Sequence, residues 1–361
     1  MNIIAHGPAF SSELDAMKKV DHEIAPKGDA ILVVKNPNAP FASCPWPSPT
    51  ESECLDMTVN AHDDVEPTPE VRSRVSSAHL KFVSPVFDRA LSEDWKEATT
   101  LRESGSVEME TSDWDIEALL LLLRILHFQL SNLPQNVDIE LLAKLLVLVD
   151  YYECHSLLGF IAGRWRSTIL YSYHSPVRGM IRLWVAWSLN QVEDFRFYSS
   201  KLIQRVKGPV ISFGLPLSSK VINELNKRRE AASSCAIQVI QNQENDWDSQ
   251  ESSCGKICKF ACLGILREFM VASKISVAYA PYEGVSLHDL TTAVAQLKVP
   301  KWREWMDERP TPGTVIKPHE CKNTKFIDLL AILPSVDVEG LKLADFKSDS
   351  GGKQPTVKGS G

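Results

Sequence analysis

Apolar positions along the chain fall into two patterns. The first is short and continuous. Ala30-Ile-Leu-Val-Val34 follows Gly28-Asp29 as an unbroken run rich in β-branched residues, and it predicts a buried strand. Residues 71–75 and 106–110 are shorter strand candidates. The second pattern has the period of a helix. Leu80, Val83, Phe87 and Leu91 lie at i, i+3, i+7 and i+11 within 76–91. Pro85 stands inside this stretch directly after Ser84. A serine cap followed by proline at the first helical position is a helix start, so two short helices are expected to meet there. Ser112-Asp-Trp-Asp115 resembles a capping box before a helix over 116–128. That helix is apolar on nearly every side, as in one buried at a domain centre. Pro134 ends the following turn, Asp138 can cap a second apolar helix reaching Cys154, and a third is expected over 156–171.

Beyond Pro176 the periodicity is almost entirely helical. Helices are expected at 177–190, 192–206, 218–243, 254–272 and 286–298, with a shorter one at 323–333. Gly208-Pro209, Gly214-Leu-Pro216 and Pro281 punctuate the loops between them. Three stretches lack such order. Residues 1–27 form an extension in which Leu14, Met17 and Val20 recur every three residues and allow one short amphipathic helix. Residues 36–70 combine prolines with acids at Glu51, Glu53, Asp56, Asp63, Asp64 and Glu66, and are expected to be a disordered insertion. Residues 347–361 hold no large apolar residue and are expected to be a disordered tail. The predicted plan is therefore α+β: a domain over 28–170 with a small sheet packed on a helical cluster, then a mostly α-helical domain over 171–346. No internal repeat is present.

Composition narrows the function class. A chain of 361 residues suggests two domains, and 44% hydrophobic with 24% charged residues is ordinary for a globular protein. A formal net charge of −7 supplies no general basic field for a phosphate backbone, which argues against a nucleic-acid partner. The most apolar stretch, 118–130, carries Arg124 and His127 and is too short to span a bilayer. The N-terminus lacks the charged and apolar segments of a signal peptide, and no Asn-x-Ser/Thr sequon occurs. Eight cysteines are far from a disulfide scaffold. The expectation is an intracellular protein, cytoplasmic or nuclear, with no membrane association and reduced thiols.

Candidate chemistry is sparse. The phosphate-cradling glycine motifs, the Gly-x-Ser-x-Gly nucleophile elbow and His-Glu-x-x-His are all missing. His127 and His155 lie on apolar helices and read as structural; Asp113 and Asp115 read as helix caps. Lys227-Arg-Arg229, flanked by Glu224 and Glu230, reads as a solvated helix face. One cluster has the ligand types of a metal site. Cys254, Cys258 and Cys262 repeat at i, i+4 and i+8, and His319-Glu-Cys321 follows. Cys254, Cys258, His319 and Cys321 would make a structural Cys₃His zinc set if the segments meet, with Cys262 left as a core residue. Otherwise no cofactor is expected.

The segment 28–166 resembles a BTB/POZ domain. The resemblance rests on Gly28-Asp-Ala-Ile-Leu-Val-Val34, Val75-Ser-Ser-Ala-His-Leu80, Ser84-Pro-Val-Phe87 with Leu91, Trp95 and Glu97, then Val107-Glu-Met-Glu110, Ile116-Glu-Ala-Leu119 and Leu148-Val-Asp-Tyr-Tyr152. The remainder is similar to the C-terminal region of a group of fungal BTB proteins through Leu183-Trp-Val-Ala-Trp187, Gly214-Leu-Pro216, Lys227-Arg-Arg229, Cys254 and Cys258 with Leu263-Gly264, and Glu339-Gly-Leu-Lys-Leu343. Two departures stand out: many BTB domains carry histidine where this chain has Ser76, and their first strand connection lacks a proline-rich insertion. The resemblance implies a non-enzymatic interaction module or adaptor. Its pairing with itself, as a weak homodimer, or with a protein partner would draw on Leu14 and Met17. It also implies an alternative, in which Trp95 and Glu97 hold a cullin in a ubiquitin-ligase substrate adaptor. A zinc-dependent hydrolase built on the Cys/His cluster is a further alternative, but it lacks a general base at useful spacing.

Overall fold

The computed structural model describes residues 19–42, 70–92, 94–165, 175–249, 256–275, 280–297 and 338–347. The chain divides into two compact units, one of Met1–Phe41 and Val59–Ile169, the other of Ala42–Thr58 and Leu170–Gly361.

The apolar run behind Gly28-Asp29 becomes β2 (Ala30–Lys35), an inner strand of the first unit's sheet. The sheet order is β1-β3-β2-β4, with β1 at His22–Glu23, β3 at Val71–Val75 and β4 at Val107–Ser112. β2 runs antiparallel to β3 and parallel to β4. Register places Ala30 and Leu32 between Val75 and Ser73 on one side and Val107 and Met109 on the other, so one face is formed by alternate residues of all three strands. These residues are buried and make the sheet's share of the core. The opposite face carries charge. Arg72 is buried there and reaches Glu70 and Glu108, while Lys35 pairs with Glu110.

Helices complete this α+β unit. α1 (Ser77–Val83) and α2 (Pro85–Ser92) meet at Ser84, and α3 (Lys96–Ser104) follows. α4 (Ile116–Leu126) and α5 (Ile139–Tyr151) form the apolar hairpin, with Leu122, Leu123, Leu145 and Leu146 at 1% exposure or less. α6 (Leu158–Trp165) ends the described part of the unit. Three expectations are corrected here. The capping box starting at Ser112 does not form; the cap of α4 is Asp115 alone, accepting from the Ala118 N–H at 3.0 Å. α5 stops at Tyr151, because Glu153 takes a φ of 54° and the Cys154 N–H folds back onto the Val149 carbonyl. The start of the expected disordered insertion, 36–41, is held in place. The Asn38 N–H donates to the Trp114 carbonyl, its side-chain Oδ1 accepts from the Ile116 N–H, and the Phe41 ring faces the Lys144 ammonium. Residues 43–69 lie outside the described residues.

The second unit is helical: α7 (Pro176–Ser188), α8 (Val192–Arg205), α9 (Ser219–Ser249), α10 (Lys256–Ala272), α11 (Leu287–Ala295) and a final turn α12 (Ala344–Lys347). Trp184, Phe195, Tyr198 and Leu202 are buried where α7 packs on α8. A second cluster joins α9, α10 and α11 through Ala236, Ile240, Leu266 and Val294, and includes Cys262. Arg229 departs from the expected solvated face. It is 1% exposed within the buried stripe of α9 and donates to the Pro281 carbonyl, whereas Lys227 beside it is exposed. Its neighbours in that stripe, Leu225, Ala232 and Ala236, show that the stripe runs through the basic triplet. Lys347, placed by the sequence in the tail, donates to the Trp187 carbonyl at 2.6 Å. Among the described residues no helix is long and apolar enough to cross a membrane. The expected helix at 323–333 lies outside the described residues.

Candidate interaction surface

α1 buries Leu80 against the core and turns its other side outward. His79 and Phe82 share that outer side, one helical turn apart, and Phe82 is 83% exposed. Asp29 fixes the start of α1. Its carboxylate accepts the Ser77 N–H at 2.8 Å and the Ser77 hydroxyl at 2.7 Å. α4 supplies the second part of the surface. His127 closes the helix, and Phe128 then takes a φ of 57° that swings its ring outward to 68% exposure. The His79 ring stacks on His127 at 5.0 Å between centroids and meets Phe128 edge-on at 6.4 Å. His79 and Phe128 thus form an aromatic strip across α1 and the end of α4, and the exposed Phe82 stands one helical turn from His79 on the same outer side.

His127 anchors this strip. Its Nδ1 bonds to the Leu123 carbonyl at 2.7 Å and its Nε2 accepts the Ser76 N–H at 2.9 Å, which assigns the proton to Nδ1. Burial holds the imidazole below its ordinary pKa; the Leu123 bond opposes this shift and His79 adds to it. His127 is therefore a structural histidine, as its apolar helix predicts. His155 is not: it sits in a short turn, exposed, with Asp150 at 3.9 Å. Asp115 caps α4, as expected, and pairs with Lys144, but Asp113 does not cap α4: its carboxylate accepts from the Asn36 and Ser112 side chains instead.

A second surface lies at α3. Trp95 precedes this helix and is 58% exposed, and Glu97 is half-buried in its first turn. The structure therefore places the predicted pair at one helix start, with Trp95 accessible. Leu14 and Met17 lie outside the described residues, as do Cys254, His319 and Cys321; Cys258 belongs to α10. Among the described residues no group of three or more histidine, cysteine, aspartate or glutamate side chains could hold a metal.

Sequence reasoning missed the aromatic strip. Its one legible sign was Phe82, an aromatic residue off the Leu80–Val83–Phe87–Leu91 stripe. Phe128 gave none, because it extends an apolar helix pattern and is turned outward only by its backbone. Comparison with family models, with curated proteins and with solved structures finds no match.

Proposed function

We propose that this protein is a non-enzymatic interaction module in which the BTB-like first unit pairs with a second copy of the chain. The observation that carries this reading is the strip of His79 and Phe128 with the exposed Phe82 on the same outer side. Two phenyl rings at 83% and 68% exposure on one surface are an apolar load that a free monomer holds against water. The element order supports the BTB reading: a strand pair, two short helices meeting at Ser84-Pro85, a further strand, then the apolar hairpin. Such a pairing is weak. Two aromatic anchors give a small centre, whereas a stable two-fold interface covers roughly 1,200–2,000 Å².

Sedimentation of the full chain at two concentrations tests this, beside a Phe82→Ser/Phe128→Ser variant and a chain starting at Lys19. Wild type should show concentration-dependent dimer, the serine variant a monomer, and the shortened chain a weaker dimer if Leu14 and Met17 contribute. A single-chain mass for wild type near 100 µM would refute self-association. Truncation at Lys19 rather than later is required, because β1 begins at His22 and Ile24 is buried.

The exposed indole of Trp95 beside Glu97 favours a second reading, a cullin-type ligase adaptor that uses α3. Affinity capture with wild type against a Trp95→Ala/Glu97→Ala variant separates the two readings. Loss of one cullin supports the adaptor, and identical partner lists sink it.

A further inference from the structure

Residues 338–343 cross the second unit outside any helix or strand: Gly340, Leu341 and Leu343 are buried, while Glu339 and Lys342 face out. The Ser200 hydroxyl donates to the Val338 carbonyl at 2.8 Å, and the Leu341 N–H donates to Ser199 Oγ at 2.8 Å. That hydroxyl has its own proton committed to the Arg196 carbonyl at 3.0 Å, so it is oriented to accept. Glu339 pairs with Arg196 through its carboxylate, and its carbonyl accepts from Arg228 Nη1 at 3.2 Å. Gly340 lies so close to α8 that a Cβ would stand 1.7 Å from the Arg196 carbonyl oxygen. The site therefore reads an acid, an obligatory glycine and two leucines, in the order Glu-Gly-Leu-x-Leu.

We propose that this groove on α8 and α9 is a peptide-recognition site that the chain fills in cis, and that a polypeptide carrying Glu-Gly-Leu-x-Leu can occupy it in trans. The argument is the type of contact. Backbone groups met by side-chain hydroxyls, one charge pair and two apolar side chains on alternate positions are how an extended peptide is bound, with specificity in the alternate side chains. A segment serving only as a cover would need apolar burial but neither the charge pair at Glu339 nor the steric demand at Gly340. Because the segment belongs to the same chain, its contact is intramolecular and dominates until a competing peptide outweighs it or the segment is weakened.

The test uses the full chain and a fluorescent peptide of residues 338–347. In the Gly340→Val chain the valine clashes with Arg196, so the groove is vacated. Anisotropy should show the wild-type peptide binding this variant at least tenfold more tightly than it binds the wild-type chain. A Gly340→Val peptide should bind neither. A Glu339→Lys peptide should lose about tenfold, recovered when the chain also carries Arg196→Glu. A Gly340→Val chain with wild-type circular dichroism that does not bind the peptide at 100 µM would overturn the proposal, as would equal binding of the valine peptide. Should that variant not fold, the Glu339→Lys chain, loosened by charge repulsion, takes its place. Failure of both chains to fold would also overturn the proposal, since a displaceable ligand cannot be a requirement for folding.

Discussion

Ser84 is buried at the bend between α1 and α2, and its hydroxyl has two tasks. It accepts the Phe87 N–H at 3.2 Å, capping α2, and it donates to the Tyr152 carbonyl at 2.7 Å, tying that helix to the end of α5. Ser84→Ala removes both bonds and almost no volume. Loss of a serine cap costs about 1 kcal/mol. A buried carbonyl left without its partner costs about 1–3 kcal/mol. The Cys154 thiol, 3.5 Å from the same carbonyl, compensates weakly, which places the expected loss at about 2–3 kcal/mol. For a unit of this size that corresponds to roughly 5–10 °C in the transition that melts it. Calorimetry on the full chain reads this shift, and amide exchange at Phe87 reads its location. Ser92→Ala is the control, because its hydroxyl bonds to Asp88 on the exposed end of α2 and its loss should cost under about 0.5 kcal/mol. A loss for Ser84→Ala no larger than that of the control, with unchanged exchange at Phe87, would refute the reasoning. The bend would then be set by the burial of Phe87 and Leu91 alone.

Gly28→Ala should destabilise the first unit by about 1–3 kcal/mol, because a Cβ there would stand 2.2 Å from the Val75 carbonyl oxygen at the strand pair; an unchanged denaturant midpoint would show that the turn can move aside. Cys154 is fully buried and burial pushes its thiol up to about 11, so mass-resolved alkylation at pH 8 should label exposed Cys235 in the native protein and Cys154 only after unfolding. Because burial depresses the His127 pKa, the unfolded chain binds the proton first; stability is full above about pH 6.5 and falls as pH drops through that value towards the folded pKa. Between pH 7.5 and 5.5 the urea midpoint should therefore fall further in wild type than in His127→Gln, and equal shifts would assign the linkage to another group.

Where one face of an element is apolar and the other is not, the sequence announces it. The bend at Ser84-Pro85, the strands β2 and β3, and the Asp138 cap were all legible, because each combines a burial period with a residue that only one backbone conformation favours. α3 was not legible. Only Ala98 on it is buried, so Lys96–Ser104 reads as polar surface, and the helix is specified by its packing beside β4 rather than by a stripe. β1 was missed because its two residues carry no period; its place comes from pairing with β3. Arg229 misled for the opposite reason. Charge argues for solvent, but the stripe of α9 continues through it, and its stem and the bond to Pro281 make burial possible. The aromatic strip was hidden because exposure depends on a backbone turn at Phe128, and no residue type reports such a turn.

The polar contacts of the first unit also explain how nearly uniform apolar helices settle into one arrangement. α4 is apolar on most sides, so sliding it by one turn along α5 would bury a similar set of leucines. The slide would break contacts that have no apolar substitute. Asn38 would lose the Ile116 N–H, Lys144 would lose Asp115, and the Ser76 N–H would lose His127. Each links segments remote in sequence; the Ser76 and Lys144 groups left behind would be partly shut off from water, whereas the Asn38–Ile116 bond lies at the surface. At about 1–3 kcal/mol for each buried group left unpaired, the losses at Ser76 and Lys144 outweigh a small packing difference between equivalent leucine registers. Specificity in this unit therefore sits with a few polar side chains at element ends, while the leucines supply cohesion without choosing the register. The same division of labour holds in the groove around 338–343: two leucines provide burial, and Arg196, Ser199 and the space above Gly340 determine which sequence is allowed to supply them.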